Sequence, residues 1–308
     1  MSSMLYLHRR TGAAELLQGA LRAADFLVGQ AWDPKLRIFP FELPDAAQDC
    51  LAYFFDSGII VRGLLAAHRA TDDRRYFDAA IAGGRSMLAH FPSPDGTINP
   101  ILRLPELAPV PHTAQWSRSP GCYQLKSAMA WHDLAVATGD ATWEEAYTAA
   151  LNAALSSHES FLPAETPEKT MDRLHAYCYF LEGLLPAVER SDVGAAMRQG
   201  ISRVSGYLRE IRPQFERSDV YGQLLRVRLF AASLTGLDVD EAQAQQEAEQ
   251  VAAFQAVGGP EVGGYWFGRK AGQIIPHANP VSSAFCSQAL EMWSDRRSRV
   301  PLVLADLI

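Results

Sequence analysis

"DSGIIVRGLLAAHRATDDRRYFDAAIAGGRSML", residues 56–88, contains two helical patterns joined by a short polar turn. The first half is apolar almost all round and rich in Ala, Gly and Leu, which indicates a buried helix. The second half is apolar along one face only, which indicates a helix at the surface. The turn "ATDDRR" offers an Asp as N-cap for the second helix. The stretch therefore predicts a hairpin made of an inner and an outer helix.

The same pattern recurs along the chain. Residues 121–155, 175–208 and 221–254 each read as an apolar helix, a short turn and an amphipathic helix, and residues 282–293 read as a further inner helix. No segment has the convincing alternation of a strand. The opening helix is polar on one face and would close the set. The pattern predicts about ten helices, at roughly 13–32, 53–70, 74–91, 121–138, 141–161, 173–190, 192–211, 219–235, 238–255 and 281–296.

Longer segments lead from each outer helix to the next inner one, whereas short turns join inner to outer. We therefore expect a single all-α domain over residues 1–308, an α/α toroid of about five to six helical hairpins. All inner helices would begin at the same end of the ring, where a concave site should form. The long segments above that end are predicted at 33–52, 92–120, 162–172, 212–218 and 256–280.

Composition and charge exclude several classes of function. The chain is 48% hydrophobic, which supports a full core. A net charge of −7 and the lack of any long basic run argue against nucleic acid as a partner. No stretch approaches the roughly 18 apolar residues of a membrane span, and the four scattered cysteines suggest free thiols in a cytoplasmic protein. The oligomeric state is not predicted, since an outer helix face and a dimer face have the same pattern.

The inner helices begin with polar and aromatic residues and end apolar. In "MDRLHAYCYFLEGLLP", residues 171–186, Asp172, Arg173, His175 and Tyr177 precede a run of leucines. Five such starts at one end would line a bowl with rings, acids and hydrogen-bond donors, which suits a saccharide. An Asp at a helix start is equally well explained as an N-cap. The predicted substrate-binding residues are Tyr53, Trp116, Arg118, Gln124, Lys126, Arg173, Tyr177, Tyr221, Arg226, Trp266, His277 and Asn279.

The repeats resemble those of six-hairpin α/α-toroid carbohydrate-active proteins. "FFDSGIIVRGLLAAHRATDDRRYFDAA" (54–80) is similar to repeats in unsaturated uronyl hydrolases and sugar epimerases. "GGYWFGRKAGQIIPHANPVSSAFCSQALEMW" (263–293) resembles the closing repeat of prenyltransferase-like toroids found with bacterial polysaccharide genes. The resemblance implies a carbohydrate-active protein, although fold alone carries function weakly.

A glycoside hydrolase acting on an oligosaccharide or uronate-containing glycan is the first hypothesis. Hydrolysis usually needs two carboxyl groups, and Asp56 and Asp172 are the predicted pair, with Asp219 in reserve. In the uronyl hydrolases that the chain resembles, an Asp protonates a vinyl ether while water adds, which implies such a role for Asp56 or Asp172. A uronate carboxylate would be held by Arg118, Arg173 or Lys126.

A polysaccharide lyase or sugar epimerase is the runner-up. Either needs a base that removes a proton beside a carboxylate or carbonyl, and His175, His277, Tyr177 and Tyr221 are suitable types. His175 is therefore the third predicted catalytic residue.

Two readings from other classes stay open. A non-catalytic glycan-binding protein would keep the aromatic bowl without turnover. A prenyltransferase or terpene cyclase would need metal ligands, but the Asp, His and Cys of "DRLHAYC" (172–178) diverge around the helix, and "LDVDEA" (237–242) reads better as a cap. No metal-ligand or phosphate-binding pattern is present, so no metal and no cofactor are predicted.

Overall fold

The computed structural model describes residues 1–42, 50–236, 239–296 and 302–308. Within these ranges the chain forms eleven α-helices and two small three-stranded sheets. It divides into two compact units, residues 1–157 and 158–308. The single domain over residues 1–308 stays a prediction.

The first unit consists of three helical hairpins. Helix α1 (Ser2–Thr11) packs on α2 (Ala14–Phe26), α3 (Phe54–Thr71) on α4 (Arg74–His90), and α5 (Leu125–Thr138) on α6 (Ala141–Ser157). Helix α1 was not predicted from the sequence. Only two of its ten residues are buried, so it has little apolar periodicity. Helix α2 ends in a π-helical turn, Leu27–Ala31, and so stops just short of the predicted end at residue 32.

The second unit consists of two hairpins and a final inner helix. Helix α7 (Pro167–Leu184) packs on α8 (Ser191–Ile211), α9 (Ser218–Thr235) packs on α10 (Glu241–Ala252), and α11 (Pro280–Asp295) packs against α9. Helix α7 begins six residues before its predicted start, because Thr166 caps its first turn. The predicted start of α10 at residue 238 lies outside the described residues, and Asp240 caps the helix that follows.

The two sheets correct the expectation that the chain has no strands. One contains β1 (Cys50–Tyr53), β2 (Ile101–Leu104) and β3 (Ala108–Pro109); the other contains β4 (Phe215–Arg217), β5 (Trp266–Lys270) and β6 (Gln273–Ala278). All neighbouring strands are antiparallel. Strands of two to six residues are too short to show alternation in the sequence. They lie in the long segments that precede inner helices, and β1 and β4 run directly into α3 and α9.

The inner helices of each unit begin side by side. In the first unit, the Ser127 hydroxyl near the start of α5 donates to the Phe55 carbonyl at the start of α3 (2.9 Å). Gly58 allows this approach, since a Cβ there would lie 2.5 Å from the Ser127 carbonyl oxygen. In the second unit, the Cys286 thiol on α11 donates to the Ser218 carbonyl at the start of α9 (3.4 Å). Within each unit, the common end predicted for the inner helices is confirmed.

The short turns before α4 and α6 have the predicted Asp caps, whereas the turn before α8 has no side-chain cap. Asp73 accepts from the Arg75 backbone N–H, and Asp140 accepts from the Thr142 backbone N–H, so each caps an outer helix. The four cysteines are free, as predicted, and three of them are buried. Across the described ranges, no helix is both long enough and apolar enough to cross a membrane.

Candidate functional site

A cluster of five polar side chains lies where α7 and α9 begin, and we call it the polar cluster. It consists of Asp172 and His175 on α7, Arg217 at the end of β4, and Asp219 and Gln223 on α9. The spacings i, i+3 on α7 and i, i+4 on α9 place the members of each pair on one helix face. Strand β4 fixes the backbone of Arg217 immediately before α9, so the guanidinium lies between the two helix starts.

Arg217 binds both acids of the cluster. Its Nε and Nη2 atoms donate to the two carboxylate oxygens of Asp219 (3.0 and 2.7 Å), and its Nη1 donates to Asp172 Oδ1 (2.9 Å). The Asp219 side chain is only 3% exposed, whereas that of Asp172 is 51% exposed. Burial by itself would raise the pKa of Asp219, but His175 and Arg217 outweigh it and lower that pKa. Both acids are therefore ion-paired, and Asp219 is held as a buried carboxylate.

His175 is held through one ring nitrogen. Its Nδ1 lies 2.8 Å from Gln223 Oε1 and 3.4 Å from Asp219 Oδ2, both of which are acceptors. A nitrogen that faces two acceptors carries the proton, so the neutral ring has Nδ1–H and an unprotonated Nε2. Burial lowers the pKa of His175 and outweighs the opposing effect of Asp219. The arrangement gives a neutral imidazole whose free Nε2 can accept a proton at neutral pH.

Aromatic rings surround the cluster. Tyr179 lies edge-on to His175 with ring centroids 4.6 Å apart, and Phe285 lies 6.5 Å from the same ring. The Arg217 guanidinium lies over Phe267 on β5 at 4.7 Å, and Phe267 in turn contacts His277 on β6 at 6.2 Å. His277 is exposed on its strand. The β5–β6 hairpin thus packs Phe267 on the Arg217 guanidinium, and His277 is linked to the polar cluster through that ring.

A second polar layer lies deeper in the same unit. Glu182 on α7 pairs with Arg226 on α9, and both side chains are fully buried. Arg226 also donates from Nη1 to Gln288 Oε1 (2.8 Å) and to the Ile308 carbonyl (3.2 Å), and it stacks on Phe285 at 4.1 Å. Arg226 was predicted to bind substrate, but in the structure it forms a fully buried ion pair and has no solvent access.

The remaining predicted residues of this unit have other contacts. Tyr177 is fully buried with its hydroxyl 2.9 Å from His158 Nδ1, on a different side of α7 from His175. Arg173 donates to the Phe161 carbonyl and lies over that ring at 5.6 Å.

Three more predicted residues lie around α9 and α11. Tyr221 donates to Glu216 Oε2 (3.1 Å). Asn279 caps α11 by accepting from the first backbone N–H groups of that helix. Trp266 begins β5, where its carbonyl accepts from the Ser218 hydroxyl (2.7 Å). Of the predicted residues, the structure therefore brings together Asp172, His175 and the reserve acid Asp219, with His277 one ring away.

The first unit holds the other candidates. Asp56 lies in the first turn of α3, and its burial raises the pKa of its carboxyl group. Tyr53 precedes it and packs on Phe41 with centroids 4.7 Å apart. Trp116 lies edge-on to Tyr123 at 5.0 Å. Among the described residues, the buried Nε of Arg118 has no hydrogen-bond partner.

Two predicted binding residues of the first unit are internal. Gln124 is buried and bonded on both sides, because its Nε2 donates to the Ile98 carbonyl and its Oε1 accepts from the Gly121 N–H. Lys126 is 1% exposed on α5. Gln124 therefore positions the 92–120 segment, and neither side chain lies at the surface as a sugar-binding group would.

Sequence reasoning missed Arg217, Gln223 and Tyr179 and gave Asp219 only a reserve role. A signal for Arg217 and Asp219 was present as the Arg-x-Asp spacing in "ERSD" (216–219), because this spacing lets the two side chains pair. Gln223 and Tyr179 each follow a polar residue of the cluster by four positions on the same helix, a spacing that the apolar surroundings obscured. Within the described residues, no group of three His, Cys, Asp or Glu side chains could hold a metal ion.

Comparison with known proteins defines the fold. No family model and no curated protein matches the sequence. A cellobiose 2-epimerase from Spirochaeta thermophila has a TM-score of 0.70 at 13% identity, over 96% of this chain and 84% of its own. A sugar epimerase from a ruminal bacterium has a TM-score of 0.69 at 13% identity, over 98% and 87%. An α-mannanase from Bacteroides thetaiotaomicron has a TM-score of 0.62 at 10% identity, over 97% and 84%.

These similarities span nearly the whole chain and place it in the all-α, α/α-toroid fold class. The fold predicted from the repeating hairpins, and the resemblance to carbohydrate-active toroid proteins, are confirmed at the level of fold. Identities of 10–13% carry no activity over to this chain.

Proposed function

We propose that this protein is a carbohydrate-active enzyme that moves a proton on a sugar carbon next to a carbonyl group, as an epimerase or isomerase does. The observation that carries the proposal is the placement of the buried His175 ring, whose Nδ1 lies 2.8 Å from Gln223 Oε1 and 3.4 Å from Asp219 Oδ2. With the Nδ1 proton directed at these acceptors, Nε2 is the nitrogen that can accept a proton from a substrate. Two structural neighbours, a cellobiose 2-epimerase and a sugar epimerase, support the same class of reaction.

In this reaction His175 Nε2 removes the proton from C2 of an open-chain sugar. The C–H electrons form a C1–C2 double bond, and the carbonyl π electrons move to oxygen, which gives an enediol after protonation. Return of a proton to the opposite face of C2, with loss of the O1 proton, restores the aldehyde and yields the epimer. Return of a proton to C1, with loss of the O2 proton, yields the ketose. His277 on the β5–β6 hairpin is the proposed second acid–base group, because it is exposed and joined to the cluster through Phe267. Asp219 stabilises the imidazolium that forms on His175.

The charges of the cluster favour a neutral sugar over a uronate. Arg217 already binds two carboxylates, so it has no free edge for a third. Arg173 is engaged with Phe161. With His175 neutral, two acids and one arginine leave the cluster with a net negative charge, which repels a sugar carboxylate.

Glycoside hydrolysis is the second candidate function, because Asp56 could serve as its acid. A hydrolase needs one protonated carboxyl group. Asp172 and Asp219 both pair with Arg217 and fit that role poorly. Asp56 fits it better, because burial raises its pKa.

Product analysis with neutral sugars tests the proposal. Cellobiose, glucose and mannose are incubated with the protein, and epimers, ketoses and newly released reducing ends are separated by chromatography. We expect interconversion at C2 that is lost in His175→Gln and kept in Asp56→Asn. Released monosaccharide that depends on Asp56 and not on His175 would favour hydrolysis instead. Binding without turnover in both variants and the native protein would favour a glycan-binding protein.

A further inference from the structure

A groove outside the polar cluster runs between α8 and α10 over the surface of α9. Its larger part has a volume of about 450 Å³, and a smaller part of about 120 Å³ continues from it past Ser205, Arg209 and Gln243. The groove lies entirely within the second unit. It is large enough for a small ligand, and nothing in the proposed sugar chemistry uses it.

One face of the groove is basic, although the chain as a whole carries a net charge of −7. Arg198, Arg209 and Arg228 line its larger part, together with one acid, Asp240. Among the described residues, Arg198 and Arg209 have no carboxylate within ion-pair distance, and both are exposed on α8. They are eleven residues apart, which at about 1.5 Å per residue separates them by roughly 16 Å along the helix.

Arg228 is held in place as part of the groove wall. Its Nε and Nη2 donate to the two oxygens of Glu247 on α10 (3.0 and 2.6 Å), and its Nη2 lies 3.4 Å from the Ser205 hydroxyl. Ser205 is four residues before Arg209, so both lie on the same face of α8. Arg209 Nη1 in turn lies 3.5 Å from Gln243 Oε1. Arg209, Arg228, a hydroxyl and an amide therefore converge at one end of the cavity. Glu247 takes the Nε and Nη2 of Arg228, which leaves its Nη1 for a ligand.

The floor away from this end is aliphatic. It is formed by Met197, Ile201, Ala231, Ala232 and Val188, and no aromatic ring lines the larger part. Sugar sites use aromatic rings as stacking surfaces. The floor fits an alkyl chain, whereas the converging donors fit an anion.

We propose that this groove binds an amphipathic anion, with a phosphate or carboxylate head between Arg209 and Arg228 and an aliphatic body over Ile201 and Ala231. The ligand is either an alkyl or isoprenoid phosphate or a fatty acid, which share this chemistry. The site is independent of the reaction at His175.

Isothermal titration calorimetry on the full-length protein tests the proposal, with octyl phosphate, octanoate, inorganic phosphate and 1-octanol as probes below their aggregation concentrations. We expect one of the two amphipathic anions to bind at least tenfold more tightly than octanol and than inorganic phosphate. The tighter of the two identifies the ligand as a phosphate ester or a fatty acid.

Three variants assign the binding to the groove. Arg209→Gln should weaken the anion about tenfold, because a hydrogen bond to a charged group is worth roughly that factor. Ser202→Trp should abolish binding by filling the cavity from an exposed helix position. Arg190→Gln, an exposed arginine that does not line the groove, is the matched control and should bind as the native protein does. Equal binding of octanol and the anions, or native affinity in either of the first two variants, would overturn the proposal.

Discussion

Replacing Arg217 by methionine should both destabilise the protein and change the acidity of His175. The Arg217 side chain is 9% exposed and binds Asp219, which is 3% exposed, through two hydrogen bonds. Removing one partner of a buried ion pair leaves the other charge unpaired, at a cost of about 3–5 kcal/mol. Asp172→Asn removes the charge from the third bond of the same guanidinium, but that side chain is half-exposed, so we expect a cost of less than about 1 kcal/mol.

Urea denaturation of a double-mutant cycle measures these values. The cycle contains Arg217→Met, Asp219→Asn and the double variant, with Asp172→Asn as the exposed control. We expect the double variant to be more stable than Arg217→Met, because it no longer buries a lone carboxylate. A cost below about 1 kcal/mol for Arg217→Met, or an equal cost for Asp172→Asn, would refute the account of Arg217 as the centre of a buried network.

The same variant alters His175 in a predictable direction. Asp219 raises the pKa of His175 and Arg217 lowers it, while burial lowers it most. Loss of Arg217 therefore raises the pKa of His175, and the acid limb of any pH–rate profile moves to higher pH. NMR titration of the His175 ring in the folded variant measures the shift. An unchanged or lowered pKa would contradict the geometry described for the cluster.

Three further predictions concern stability and packing. Burial lowers the pKa of His175 below its unfolded value of 6.5, so the unfolded state takes up the proton first and the free energy of unfolding falls as the pH drops below about 6.5. Denaturation curves at pH 5 and 7 should therefore differ less for His175→Gln than for the native protein. Arg226→Met should cost about 3–5 kcal/mol, measured by urea denaturation, because it strands a buried glutamate. Gly58→Ala should cost about 1–3 kcal/mol, because the new Cβ meets the Ser127 backbone. Gly206→Ala, which has open space around it, is the control and should raise the thermal midpoint slightly. Equal midpoints for the two glycine variants would contradict the close contact of α3 and α5.

The repeating hairpins were readable from the sequence because each is encoded locally. An inner helix such as α3 is apolar all round, an outer helix such as α4 has one apolar face, and Asp73 caps the second. Such signals need no knowledge of distant residues. Helix α1 was missed because it buries little, and the six strands were missed because each is too short to show alternation. Two of the pairings also join distant segments, since Cys50 pairs with Leu104 and Phe215 with Lys270.

The candidate site was readable only in part for the same reason. Asp172 and His175 stand out because they are polar residues at the start of an apolar helix. Which polar starts contact one another depends on packing, so Tyr177, Arg226 and Gln124 were grouped with the site although they are buried elsewhere. Arg217 was missed because strand β4, which places it between α7 and α9, is too short to predict, and the Arg-x-Asp spacing alone does not show which helices meet.

Solvent hydrogen exchange at C2 of a reducing sugar is the most direct test of the proposal that His175 moves a proton on carbon. The protein is incubated with cellobiose, glucose or mannose in deuterated buffer, and ¹H NMR follows the C2–H signal. The account predicts loss of that signal with the native protein and its retention with His175→Gln, at equal folded protein concentration. Retention of the signal with the native protein while new reducing ends accumulate, or exchange at the native rate in His175→Gln, would contradict it.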